Sequence, residues 1–307
     1  MQFLPHCDSV GALSGGPNAS VFSSRVTAGP RTLLSIAGHD PSSGAGISAD
    51  LATFSAHRFY GTSVLTALTV QSTLGVEEVL PVDPSFLRRS LNHLAADLLP
   101  AGIKIGMLGS AAAATAVAES IAALKLSMRP GSEGNRSSGG PPIPPIVLDP
   151  VLRATSGAHL LPSDAIELLH HVLLPQITWI TPNWEELSSL TSLPVETVPQ
   201  AEAAARFLAQ RHPHLHIVAT AGDQIQPTDL LLLPSGDVHR YAGEHIESSS
   251  THGTGCAFSS SLLCHLVLRD SPVEAVRGAK HFVAEAIRNA PNLGHGRGPL
   301  NLLWHTR

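Results

Sequence analysis

The chain has 307 residues, is 43% apolar and 14% charged, and carries a formal net charge of −5. That apolar content builds a sizeable core and excludes disorder of the whole, and a mild charge with unclustered Lys and Arg argues against nucleic acid or a membrane surface as partner. Cys7, Cys256 and Cys264 show no CxxC spacing and no even count, so neither a disulfide framework nor a zinc site is expected and a reducing, cytoplasmic compartment fits.

Residues 1–30 are rich in Gly, Ser and Pro, lack a period and read as a flexible tail. The segment is poor in acids and Arg25 and Arg31 lie near its end, which leaves an organellar transit peptide as the alternative. From 31 to 307 the pattern is that of one large α/β domain. Leu33–Ala37 is a short apolar run ended by Gly38, the mark of a buried strand. A Gly-, Ser- and Pro-rich loop follows, then a helix over Ala45–His57. Further strands are expected at Ser63–Val70, Gly102–Ile105, Ile146–Asp149, Thr178–Thr181, Ile217–Thr220 and Leu230–Leu233. Helices are expected at Pro84–Leu98, Ala111–Leu126, Ser163–Leu173, Trp184–Leu190, Gln200–Gln210, Cys256–Leu268 and Pro272–Ala290. The stretch 127–145, SMRPGSEGNRSSGGPPIPP, is of low complexity and reads as a surface insertion. Apolar strands alternating with helices predict a three-layer α/β/α sandwich with a mainly parallel central sheet. In such sheets ligands bind beyond the carboxyl ends of the strands, so chemistry is expected just after the strands.

The strongest single site by that rule is His252-Gly253-Thr254-Gly255-Cys256, running into an apolar helix. Small residues let backbone N–H groups converge, and the helix start adds partial positive charge, a cradle for a phosphoryl group. The same field is expected to lower the Cys256 thiol pKa. Gly38-His39-Asp40-Pro41-Ser42-Ser43-Gly44-Ala45-Gly46 forms a second glycine-rich turn, with Asp50 one turn into the next helix to accept a hydrogen bond from a flat ligand. Asp149 and Glu186 follow strands and suit a Mg²⁺ ion held through its waters. Gln71 ends a strand, and its amide both donates and accepts, as an aminopyrimidine edge requires. Each has a plain counterpart: a helix start with a structural Cys, an ordinary turn, a capping acid, a strand-end amide. Neither GxxxxGK(S/T) nor GxGxxG occurs. The seventeen histidines supply no HExxH or comparable ligand set.

The order of these pieces resembles the ribokinase-like superfamily and, within it, the hydroxymethylpyrimidine and phosphomethylpyrimidine kinases. The matching blocks are AGHDPSSGAGISADLATFSAH, YGTSVLTALTVQSTLGV, IKIGMLGS, VLDPV, ITPNWEE, HGTGC, AKHFVAEAI and GHGRGPLN, from about Leu33 to Asn301. The resemblance implies ATP and Mg²⁺ as cofactors and 4-amino-5-hydroxymethyl-2-methylpyrimidine, then its monophosphate, as acceptors, in thiamine biosynthesis. It implies that Ala45, Asp50, Gln71 and Met107 line the pyrimidine pocket. Asp149 and Glu186 stand near Mg²⁺, with Asn183 at the nucleotide end. Gly253, Thr254 and Gly255 form the anion hole, and Cys256 is the general base. Where the family carries Lys-Gly-Gly this chain has Thr220-Ala221-Gly222, so Thr220 inherits the phosphate contact; His39 and Ser43 also depart from the family pattern. A pyridoxal kinase and a weakly active regulatory relative are the two rival readings. The oligomeric state is left open.

Overall fold

The computed structural model describes residues 30–128, 143–152, 165–222, 224 and 227–305. The tail expected over 1–30 lies outside them but for its last residue, as does most of the insertion expected over 127–145. The strands are β1 (Thr32–His39), β2 (Tyr60–Ser72), β3 (Gly75–Pro81), β4 (Gly102–Ile105), β5 (Ile146–Leu148), β6 (Trp179–Ile180), β7 (His216–Ala219), β8 (Thr228–Leu232) and β9 (Val238–Ala242). They form one sheet in the order β3-β2-β1-β4-β5-β6-β7-β8-β9. From β2 to β7 every pairing is parallel; the outer pairs β2–β3, β7–β8 and β8–β9 are antiparallel.

Side-chain alternation assigns the two faces. Leu34, Ile36, Ile103, Ile105, Ile146, Leu148 and Ile217 point to one side. There they pack on α2 (Pro84–Asp97), α3 (Ala111–Ser127), α5 (Trp184–Thr191) and α6 (Val198–Arg211). Leu33, Val147, Trp179 and Val218 point to the other side, against α1 (Gly46–Ala56), α7 (Thr254–Leu268) and α8 (Pro272–Arg288). Because both faces are covered, the central strands read as unbroken apolar runs rather than as alternations. The three layers are those expected.

Three elements differ from expectation. The strands β3 and β9 have no counterpart in the sequence reading. They lie on the outside of the sheet and carry mostly exposed or half-buried side chains, so no apolar run announces them. Of the helix expected over Ser163–Leu173, the first two residues lie outside the described ones, and the rest runs as α4 (Ala165–Leu168), then a π-helical turn (Leu169–Leu173) and a 3-10 turn (Leu174–Gln176). Pro175 has no N–H to continue an α-helix there.

Candidate active site

Two glycine-rich turns meet at the carboxyl end of the sheet. The first leaves β1 and enters α1; the second enters α7. Gly253 caps α7 with φ +83°, and a Cβ there would lie 1.9 Å from the Gly44 carbonyl oxygen, so the turns touch backbone to backbone. Asp40 stitches them together. Its Oδ1 accepts from the Ser42 N–H (2.8 Å) and hydroxyl (2.7 Å), and its Oδ2 accepts from the Ala45 N–H (2.9 Å) and lies 2.7 Å from His252 Nε2. Burial alone would raise the Asp40 pKa, but the bonds from His252 and Ser42 outweigh it and hold the carboxyl below its usual value.

A cleft of about 520 Å³ runs from these turns along the strand ends. Gln71 and Ala45 stand at the β1–β2 side with Met107. Asp149 follows β5 in the middle, and Asn183, Glu186 and Thr220 stand at the β6–β7 side. Gly253, Thr254, Gly255 and Cys256 form the wall beneath α7. All the candidate residues line the cleft except Asp50.

Asp50 is a correction to the expected pyrimidine pocket. It is fully buried, and both its oxygens are occupied. The Lys104 ammonium donates at 2.9 and 3.0 Å, the Ser35 hydroxyl at 2.6 Å and the Ser260 hydroxyl at 2.8 Å. The carboxylate ties α1 to β1, β4 and α7 beneath the cleft floor rather than facing a ring. Burial works against the Lys104 charge, yet Asp50 and nearby Asp149 more than offset it and hold its pKa above the ordinary value. Lys104 itself lines the cleft and is absent from the sequence-derived candidates. Its signal was a lysine inside the apolar strand GIKI, which alternation places against α1 and α7.

A second correction concerns Cys256. The helix start was expected to lower its pKa; burial instead pushes the thiol up to about 12. The Asp50 and Asp149 carboxylates reinforce the rise, while the Lys104 ammonium and the Gly46 N–H oppose it. Desolvation of a thiolate outweighs the helix end here.

At the other end of the cleft a capping box shapes the acids. The Glu186 N–H donates to Asn183 Oδ1 and the Asn183 N–H donates to Glu186 Oε2, each at 2.9 Å. The capping alternative therefore holds for Glu186, with Asn183 as its partner, and it aims both: Asn183 and Glu186 share one turn beside Asp149. Burial raises the Glu186 pKa well above the carboxylate range, and the Asp149 charge adds to it. Asp149 is raised too, chiefly by burial, with Lys104 opposing. Its oxygens would lie 3.6 and 3.8 Å from a Cβ at Gly255, so Asp149 reaches the glycine turn that opens α7. The Thr220 N–H donates to Pro182 O, which docks the end of β7 beside this turn. No set of three or more metal-ligating His, Cys, Asp or Glu side chains occurs among the described residues.

A cleft that joins a glycine-rich helix start, two buried acids and the Gln71 amide invites comparison with known kinases. The family model of phosphomethylpyrimidine kinase matches residues 40–129 and 137–301. The chain belongs to the phosphomethylpyrimidine kinase family. It is 34% identical over 282 residues to the hydroxymethylpyrimidine/phosphomethylpyrimidine kinase of Haemophilus influenzae, covering 90% of this chain and 98% of that protein. It is also 34% identical over 304 residues to the thiamine biosynthesis bifunctional protein of Geobacter sulfurreducens, of which it spans only 57%. Among solved structures, pyridoxal kinase from Staphylococcus aureus in complex with AMP-PCP and pyridoxal superposes with a TM-score of 0.75 at 27% identity, over 91% of this chain and 96% of that one. Phosphomethylpyrimidine kinase from Clostridium difficile superposes at 0.68 and 30% identity, over 84% and 99%. The ribokinase-like fold and the family expected from the ordered motifs are both met. No helix among the described residues is long and apolar enough to cross a membrane.

Proposed function

We propose that the chain transfers the γ-phosphoryl group of ATP to the hydroxymethyl group of 4-amino-5-hydroxymethyl-2-methylpyrimidine, and then a second phosphoryl group to the resulting monophosphate, in thiamine biosynthesis. The observation that carries this reading is one continuous cleft holding the Gln71 pocket, the Gly253–Cys256 cradle and the Asn183–Thr220 end in sequence. The curated relatives named for this reaction support it.

Phosphoryl transfer asks a protein mainly for positioning and charge stabilisation. Gln71, Ala45 and Met107 receive the ring and turn its hydroxymethyl toward α7. Backbone N–H groups of Gly253–Cys256, with the start of α7, stabilise charge on the group in flight. Thr220 offers its hydroxyl to the nucleotide phosphates where relatives carry lysine. Asp149 and Glu186 fit Mg²⁺: two buried carboxylates, both raised chiefly by burial, Glu186 further by Asp149 and Asp149 further by Asp50, lack a mobile counter-charge because Lys104 is committed to Asp50. Bound there through its waters, the ion would neutralise charge on the β- and γ-phosphates. Cys256 receives the proton that the hydroxymethyl group gives up. A cytoplasmic setting accords with free Cys256 and Cys264.

Phosphorus NMR on the purified chain with ATP, Mg²⁺ and the pyrimidine tests the reading. Monophosphate should appear first and diphosphate later, with ADP released at each step. Accumulation of monophosphate with no diphosphate, or no ADP at all, overturns it.

A further inference from the structure

Gln71 is the pocket's side-chain amide, and an amide is useful for recognition only if its oxygen and nitrogen are kept in order. Its two neighbours settle that order. On one side its terminal group lies 3.2 Å from His252 Nε2. That ring nitrogen is also 2.7 Å from Asp40 Oδ2. Asp40 already accepts from Ser42 and Ala45 and has only acceptor capacity left, so His252 Nε2 must carry a proton and donate to it. A nitrogen that carries hydrogen cannot accept from the Gln71 NH₂; it can share its hydrogen with an oxygen. The structure draws the amide with Nε2 toward His252, and this neighbour is satisfied only by the reverse orientation, with Oε1 toward His252.

The other side asks for the same orientation. The Thr69 hydroxyl has one proton and two acceptors within reach, the His39 carbonyl oxygen at 2.8 Å and Gln71 Oε1 at 3.3 Å; given to the nearer, it leaves lone pairs toward Gln71. Lone pairs require the amide NH₂ there. One arrangement satisfies both neighbours: Asp40 accepts from His252, His252 also donates to Gln71 Oε1, the Gln71 NH₂ donates to Thr69, and Thr69 donates to His39 O. The reversed amide sets donor against donor on one side. Side-chain amides have near-identical shape in their two orientations, so the network alone decides between them.

We propose that His252, anchored by Asp40, is a positioning residue that fixes the Gln71 amide and thereby selects the ring edge the pocket accepts. This rests on the reading that Gln71 meets the acceptor ring. The amide keeps one N–H and one oxygen lone pair for the ligand, in fixed left-to-right order. The ring has no freedom to reverse, because its hydroxymethyl group must point at Gly253. An edge that sets a ring-nitrogen acceptor beside an exocyclic amino donor then matches. The 4-oxo edge, which sets a ring N–H beside a carbonyl, opposes donor to donor and acceptor to acceptor.

The packing of His252 permits a clean test. A Cβ at Gly44 would lie 2.3 Å from His252 Cδ2, so the Cδ2 edge of the ring is seated on that glycine. His252→Phe keeps a ring on that seat and deletes the Nε2 donor. Binding of 4-amino- and 4-oxo-5-hydroxymethylpyrimidine to the full chain is measured by calorimetry, and KM for ATP by steady-state kinetics. The wild type should favour the amino compound at least tenfold, and the variant should lose tenfold or more of that preference with KM for ATP within twofold. An unchanged preference, or parallel weakening of both pyrimidines and ATP, overturns the proposal. A measurement on the ligand-free wild type stands apart from any substrate. In protein carrying ¹⁵N-labelled glutamine side chains, the Gln71 Nε2 protons should show nuclear Overhauser contacts to the Thr69 methyl and none to His252 Hε1. The reverse pattern overturns the proposal even if the variant fails to fold. Failure of the wild type to bind either pyrimidine would instead count against the substrate reading, and the amide contacts would still decide the orientation.

Discussion

Cys256 sits where two opposing influences meet, and its proposed role as the base predicts different pH profiles for the two transfers. Its thiol is held up to about 12 by burial beside Asp50 and Asp149. A base must lose its proton before it can act, so the active fraction grows about tenfold per pH unit below that value. Transfer to the alcohol should therefore quicken steadily as pH rises through neutrality. Transfer to the monophosphate should level off, because that nucleophile is a dianion above its second pKa of about 6. Cys256→Ala should slow the alcohol reaction by about 10²–10⁴-fold and flatten its pH profile, the usual scale for a general base. The monophosphate reaction should slow distinctly less, since the cradle is backbone. Separate assays from alcohol and from monophosphate measure both; equal losses would make the thiol mere packing. The residue types here were legible in the sequence because each follows a strand or opens a helix. The state of the thiol was not, because it depends first on burial and then on charges brought in from α1, β4 and the end of β5.

The element most exposed to a single change is β4, through Lys104. Its ammonium and the Asp50 carboxylate are both fully buried. Removing one partner of such a pair strands the other charge, which typically costs about 3–5 kcal/mol. Lys104→Met should destabilise the chain on that scale in urea unfolding. Lys104→Met combined with Asp50→Leu should recover most of the loss, since an apolar pair of similar volume leaves no stranded charge. A double variant no more stable than the single would show that the Ser35 and Ser260 bonds to Asp50, not the ion pair, hold the layer. The pair links positions 54 residues apart, so no local pattern revealed it. The same distinction explains which strands could be read. β1, β4 and β7 are covered on both faces and announce themselves as apolar runs. β3 and β9 lie outside that covered zone, and their mixed GVEEVLP and VHRYA sequences carry no such signal.

At the scale of the whole molecule, histidines packed away from water set its response to acid. Burial, helped by neighbouring histidines, lowers His57 and His212 from 6.5 to about 4. His170, 3.0 Å from His212 through its Nδ1, is lowered as well. A group with a depressed histidine pKa binds its proton more readily in the unfolded chain. Stability should thus be fully present above about pH 6.5 and fall as pH drops toward 4. Scanning calorimetry should show the melting temperature declining across that window, and a flat profile would contradict the assignment of these histidines as neutral. The layers and the family order of motifs were legible along the chain. The union of the β2 and β7 ends into one cleft became visible only with the sheet order.

The central claim is that this cleft serves a pyrimidine acceptor. Pyridoxal is the discriminating competitor, since solved relatives of similar fold bind it and it too offers a hydroxymethyl group on a nitrogen heterocycle. The most direct measurement is kcat/KM with ATP for 4-amino-5-hydroxymethyl-2-methylpyrimidine and for pyridoxal on the same purified chain. We predict that the pyrimidine is favoured by at least tenfold, about the effect of one matched against one mismatched hydrogen-bonded edge. An equal or higher value for pyridoxal would contradict it.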